Sequence, residues 1–163
     1  KKNFKNFNLS SIKINNLHTQ EISKHAALIA KVKKVRNILK KYQINFTKKF
    51  ANCCIEGRDI STNILPNSDL KFFFKCNLKI ASVRGFKELK TKNSKIKLAD
   101  VKKALRIRNI SDIKRKNSPL LKHRDSIVID TSNLDKKAML AKISKHVERV
   151  IKKKYEDRSR IKK

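Results

Sequence analysis

Residues 53–74 constrain the fold of this chain more than any other stretch. They read Cys-Cys-Ile-Glu-Gly-Arg-Asp-Ile-Ser-Thr-Asn-Ile-Leu-Pro-Asn-Ser-Asp-Leu-Lys-Phe-Phe-Phe. A short apolar run enters a Glu-Gly-Arg-Asp turn, a loop crosses Pro66, and a second apolar run follows. Short apolar runs bounded by turn residues read as buried strands. The first would deliver Arg58 and Asp59 to its carboxyl end, where α/β sheets place their ligands.

The rest of the chain alternates in the same manner. Strands are predicted at about 51–56, 70–76 and 126–131, with helices at about 78–90 and 98–109 between them. A long helix is expected from Thr19, opened by Thr-Gln-Glu, with Ile22, Ala26, Ile29, Val32, Val35, Leu39 and Tyr42 as its apolar stripe. A closing helix starts near Asp135 and carries Leu140, Ile143, Val147, Val150 and Ile151 at helical spacing. Strands alternating with helices imply right-handed crossovers and a parallel sheet, so the fold class is α/β. Residues 1–17 read as a basic N-terminal arm and residues 152–163 as a basic tail too polar to pack.

Composition adds one anomaly. The 163 residues are 39% hydrophobic and carry 44 Lys+Arg against 13 Asp+Glu, a formal charge of +31. Such an excess opposes compaction and attracts polyanions such as nucleic-acid phosphates. Lys31, Lys33, Lys34, Lys40 and Lys41 on the first helix are candidate RNA-phosphate contacts. So are Lys152, Lys153, Lys154, Arg158 and Arg160 in the tail. Cys53 and Cys54 are adjacent in an expected strand, poor geometry for a disulfide, and with Cys76 they read as reduced core residues. No ligand spacing suggests a metal, and no cofactor is expected. No apolar run is long enough to cross a membrane. The Lys-rich, acid-free start would suit a trimmed organellar presequence, so an organellar matrix, mitochondrial among them, is the expected location, with the cytoplasm as the alternative.

The 53–74 segment resembles the [Asp/Glu]-Gly-Arg-Asp-[Ile/Met]-Gly-Thr signature of bacterial-type cytidylate (CMP) kinases. Further motifs follow that family's order. Thr19-Gln-Glu-Ile is similar to its Arg-Thr-Glu-Glu-Val, and Val35-Arg36 to its Pro-x-Val-Arg. Arg108, Asp112 and Arg115 fall on the lid motif, and Ser118-Pro119-Leu120 on Ala-Pro-Leu. The resemblance implies that Arg36, Arg58, Asp59, Arg108, Asp112 and Arg115 surround the base, sugar and phosphate of CMP. It divides the chain into a CMP-binding-like helical region at 18–48 and a kinase-like core at 49–151. The departures are Ala27 for a CMP-contacting Ser, Lys33 for a helix-breaking Pro, Ser61 for Gly, and Ile107, Asn109 and Ser111 within the lid motif.

The phosphate-cradling G-x-x-x-x-G-K-[ST] loop of that family is not among these residues, whose two glycines are Gly57 and Gly85. The implied fold is therefore a partial nucleoside-monophosphate-kinase sheet lacking the P-loop strand, with no catalytic residue of its own. Two functions follow. In the first, the chain is a non-catalytic relative recruited as a basic ribosomal component, with ribosomal RNA and neighbouring ribosomal proteins as partners. The alternative is part of a cytidylate kinase whose P-loop half lies on another chain, which would supply the missing strand. A basic DNA-binding module has no helix-turn-helix or zinc-finger signature behind it.

Overall fold

The computed structural model describes residues 20–50, 52–91 and 94–161. The expected arm, residues 1–17, lies outside them. Contacts divide the chain into two units, Lys1–Tyr42 and Gln43–Lys163.

In the first unit the single helix expected from Thr19 is broken. α1 spans Gln20–Ile29 and α2 begins at Lys33, running on to Lys49. Between them the chain tightens: Lys31 N–H donates to Leu28 O at 3.1 Å and Val32 N–H to Ile29 O at 3.0 Å. Arg36 Nη1 then donates to Ala30 O at 3.3 Å, satisfying a carbonyl at the end of α1. Apolar spacing continues through the break, which is why periodicity alone missed it.

The second unit holds a two-stranded parallel sheet. β1, Phe72–Lys75, pairs with β2, Ile127–Asp130, in the register Phe72 to Ile127 through Lys75 to Asp130. Two helices lie between the strands in sequence, α3 at Leu78–Lys90 and α4 at Leu98–Lys114, and α5, Lys136–Ile161, follows β2. Asn77 caps α3 by accepting from Lys79 N–H at 2.8 Å. Asp135 accepts from Ala138 N–H at 2.7 Å just ahead of α5. α3 passes α4 at Gly85, where a Cβ would meet Val101 at an ordinary contact distance of 3.5 Å. Among the described residues the buried apolar side chains are Ile64, Val101 and Ile129, the last of them fully. No helix among them is long and apolar enough to cross a membrane.

Two expectations are corrected. Residues 52–56 form no strand, and Cys53, Cys54 and Cys76 are exposed rather than core residues. A strand needs a neighbour to close its backbone hydrogen bonds, and the described sheet ends at β1 and β2. The expected basic tail, residues 152–163, is helical as far as Ile161, since α5 runs on into it. Lysine and glutamate are good helix formers, and Lys152 sits 4.0 Å from Glu156 one turn on.

Candidate functional site

Arg58 and Asp59 follow Gly57 in a bend, and the chain then turns through a single π-helical turn, Ile60–Ile64. π-Turns are uncommon and recur at functional sites. Ile60 lies so close over Gly57 that a Cβ there would meet its Cγ1 and Cδ1 at 2.9 Å. That packing explains the glycine without appeal to backbone strain.

The opposite wall is the end of α4. Asp112 sits on its last turn, three residues before Arg115 where the helix stops. Leu120 N–H donates to Asp112 O at 2.8 Å, and Ser118 takes a left-handed backbone with φ 54. Non-glycine residues rarely adopt that conformation, so a tight reversal is held here against its own preference.

The two walls meet through side chains. Arg115 Nη1 donates to Asp112 Oδ1 at 3.2 Å, and Arg115 Nη2 lies 3.5 Å from Asp59 Oδ1. Arg115 Nε donates to Ser118 O at 2.5 Å. Asn63 Nδ2 donates to Asp59 Oδ2 at 3.1 Å and to Ser118 Oγ at 2.7 Å. Arg58 Nε lies 3.2 Å and Arg108 Nε 4.0 Å from the same oxygen, Asp112 Oδ2.

Burial sorts these groups into two sets. The side chains of Arg115 and Asp59 are 8% and 7% exposed, while Arg58 and Arg108 are 34% and 52% exposed. The first set braces the site, and the second opens to solvent. Three guanidiniums face two carboxylates, so the cluster keeps a net positive charge. Burial pushes the Arg58 guanidinium below its ordinary pKa; Arg108 and Arg115 add to that, and Asp112 opposes it. Asp112 Oδ2 and Arg115 Nη2 are buried and make their ion pairs without a well-aligned hydrogen bond. An anion with several acceptor oxygens is the ligand such an arrangement can take, because guanidinium forks match phosphate oxygens in pairs.

Arg58 also lines an open cavity of about 950 Å³ at the carboxyl ends of β1 and β2, together with Lys75, Asn77, Asn109, Asp130 and Ser132. That is the edge where parallel sheets bind ligands, and the volume is within the range of small-molecule sites. Its rim is stiffened by Ser132, whose Oγ accepts from Asn77 N–H at 2.8 Å and donates to Asp130 Oδ1 at 2.6 Å. Arg84 Nη2 donates to the carbonyls of Thr131 and Leu134, at 2.8 and 2.9 Å. Asp130 is held below its usual carboxylate range by the Ser132 hydroxyl first and the Ser132 N–H second.

Five residues expected at the site, Arg58, Asp59, Arg108, Asp112 and Arg115, are thus brought together. Arg36 belongs to the first unit, on α2. Sequence reasoning missed Asn63 and Ser118. Asn63 stands four residues after Asp59, the spacing at which a turn brings two side chains together.

A family model described as cytidylate kinase matches residues 3–149. The cytidylate kinase of Rickettsia akari is 35% identical over 135 residues, which are 83% of this chain and 62% of that protein. The cytidylate kinase of Rickettsia felis is 36% identical over 131 residues, 80% of this chain and 60% of its own length. The chain therefore spans about three-fifths of the length of the curated relatives it matches.

These matches overturn the expected ribosomal component, together with its ribosomal RNA and ribosomal-protein partners, and give no support to an organellar location. The inference from charge failed for a physical reason. Net charge governs the long-range field of a surface and carries no information about which fold or site produces it. Several of the expected RNA contacts have neighbours within the chain, among them Lys154, whose Nζ is 2.7 Å from Asp69, and Lys152, which lies near Glu156.

Proposed function

The chain belongs to the cytidylate kinase family, and on that premise we propose that it forms the nucleoside-monophosphate side of a kinase. The reaction moves a phosphoryl group from ATP to CMP, giving ADP and CDP. The supporting observation is the cluster at the end of α4, in which buried Arg115, Asp59 and Asp112 brace two more exposed arginines.

In this reading Arg58 and Arg108 grip the phosphate of CMP, and Arg115 holds the two carboxylates in place for them. Arg36 is assigned to the same nucleotide by its place in the Val35-Arg36 motif. Asp59 and Asp112 accept from sugar hydroxyls or the base amine wherever the bracing leaves an oxygen lone pair. Phosphoryl transfer is mostly positioning and electrostatic stabilisation, so fixing the acceptor is a large share of the work.

The loop that cradles the donor's phosphates is placed outside these 163 residues, whose sequence contains no G-x-x-x-x-G-K-[ST]. Among the described residues β1 pairs on one side only, and residues 52–56 run without a strand partner. In this reading a strand of the absent half supplies the second neighbour of β1.

Complementation tests this. The chain alone is expected to leave CMP unphosphorylated. The portion of the Rickettsia akari cytidylate kinase that this chain does not match, added in trans, should yield CMP-dependent ADP production. A stable complex of the two that shows no phosphoryl transfer would count against the reading.

A further inference from the structure

Asn63 and Ser118 close a ring around Asp59 that the ion pairs alone do not make. Arg115 lies 3.5 Å from Asp59 Oδ1 and donates through Nε to Ser118 O. Asn63 Nδ2 donates to Ser118 Oγ at 2.7 Å and to Asp59 Oδ2 at 3.1 Å. Both of these partners of Asp59 therefore rest on one residue of the opposite wall. Chemistry fixes the orientation of the amide: an ionised carboxylate only accepts, so Asn63 must turn its NH2 group toward it. With a different partner on each oxygen, the Asp59 carboxylate is held against rotation about its last torsion, which is otherwise broad. The backbone puts Asn63 in place, since its N–H donates to Asp59 O at 2.9 Å within the π-helical turn.

Ser118 holds its end of the ring at φ 54, a conformation that non-glycine residues seldom take, and strain of this kind gathers at ligand sites. Its hydroxyl stands where the resemblance has Ala, whose methyl could not accept a hydrogen bond. Asn63 lies just beyond the shared Gly-Arg-Asp motif. The Asn63–Ser118 arm is thus this chain's own addition to the cluster. Arg58 and Arg108 address Asp112 instead.

We propose that Asn63 is a positioning residue for Asp59: anchored on Ser118, it sets the plane in which that carboxylate meets the sugar hydroxyls or base amine of a nucleoside monophosphate. The assignment rests on the proposed function and adds a division of labour to it. Arg58 and Arg108 take the phosphate, while the ring orients the group that reads the rest of the nucleotide. A carboxylate already oriented need not be ordered when the ligand arrives, so the ring acts on affinity.

The test titrates the 163-residue chain with CMP and, separately, with inorganic phosphate, which has neither sugar nor base. Asn63→Leu keeps the size of the side chain and removes its donors, and Ser118→Ala removes the acceptor. Each should weaken CMP about fivefold, the scale of one hydrogen bond, and leave phosphate binding unchanged. The double variant should lose no more than either single one, because both break the same arm. In the wild-type chain the Asn63 side-chain amide protons, followed by NMR, should exchange slowly with solvent, and Ser118→Ala should speed that exchange. Equal weakening of CMP and phosphate, failure of either variant to weaken CMP, or additive losses would overturn the inference and leave the proposed function standing. So would Asn63 amide protons that exchange as fast as those of an exposed asparagine. A wild-type chain that binds phosphate and not CMP would overturn both.

Discussion

Asp112 is the residue on which the site turns, because Arg58, Arg108 and Arg115 all address its carboxylate. The three are not equivalent. Replacing buried Arg115 by Ala would leave Asp59 and Asp112 without their shared counter-charge and should destabilise the fold by about 3 kcal/mol, read as a lowered denaturation midpoint with helix content retained at low denaturant. The pH dependence of stability has a separate handle at the cavity rim. Asp130 is held below its ordinary pKa of 3.8, so it contributes stability above that value and loses it as pH falls through the depressed one. Asp130→Asn should therefore lower stability at neutral pH, and the difference from wild type should vanish in acid. A difference that persists or grows in acid would show that the Ser132 hydrogen bonds are not its source. The Arg and Asp members of the cluster were legible in sequence because their motif spacing was. Asn63 and Ser118 were not, since amide and hydroxyl partners carry no charge pattern and meet across 55 residues of chain.

At the scale of elements, what was legible followed length and register. α3, β1 and β2 fall where runs of helical and strand periodicity end at turn residues, and α4 overran its expected end because Asp112 and the residues around it continue the helix to Lys114. The break between α1 and α2 was illegible because Lys33 stands where the resemblance has a proline. That substitution makes a prediction. Lys33 opens α2, the position at which proline costs no hydrogen bond and its fixed φ suits the helix. Lys33→Pro should leave helix content unchanged and raise stability by up to about 1 kcal/mol; a drop in helix content would mean that α1 and α2 form one helix in solution. Residues 52–56 failed as a strand for the opposite reason. Their own pattern is right, and what a strand also needs is a neighbour, which local sequence does not contain.

At the scale of the molecule, the described core is small, while Phe74, Val128, Leu140 and Ile151 stay exposed. In the proposed reading, further polypeptide covers such surface. The excess of lysine is legible at once and misleads, since a strongly basic surface is compatible with more than one function. What the proposed reading claims for the cluster on α4 is narrower: an anionic nucleotide bound through Arg58 and Arg108. A calorimetric titration of the 163-residue chain with CMP and with AMP, repeated on Arg58→Ala, measures that directly. Binding of CMP in preference to AMP, weakened about tenfold by losing one charge-assisted contact and with the fold intact, is the predicted result. CMP bound no better than AMP, with Arg58→Ala indistinguishable from wild type, would contradict it.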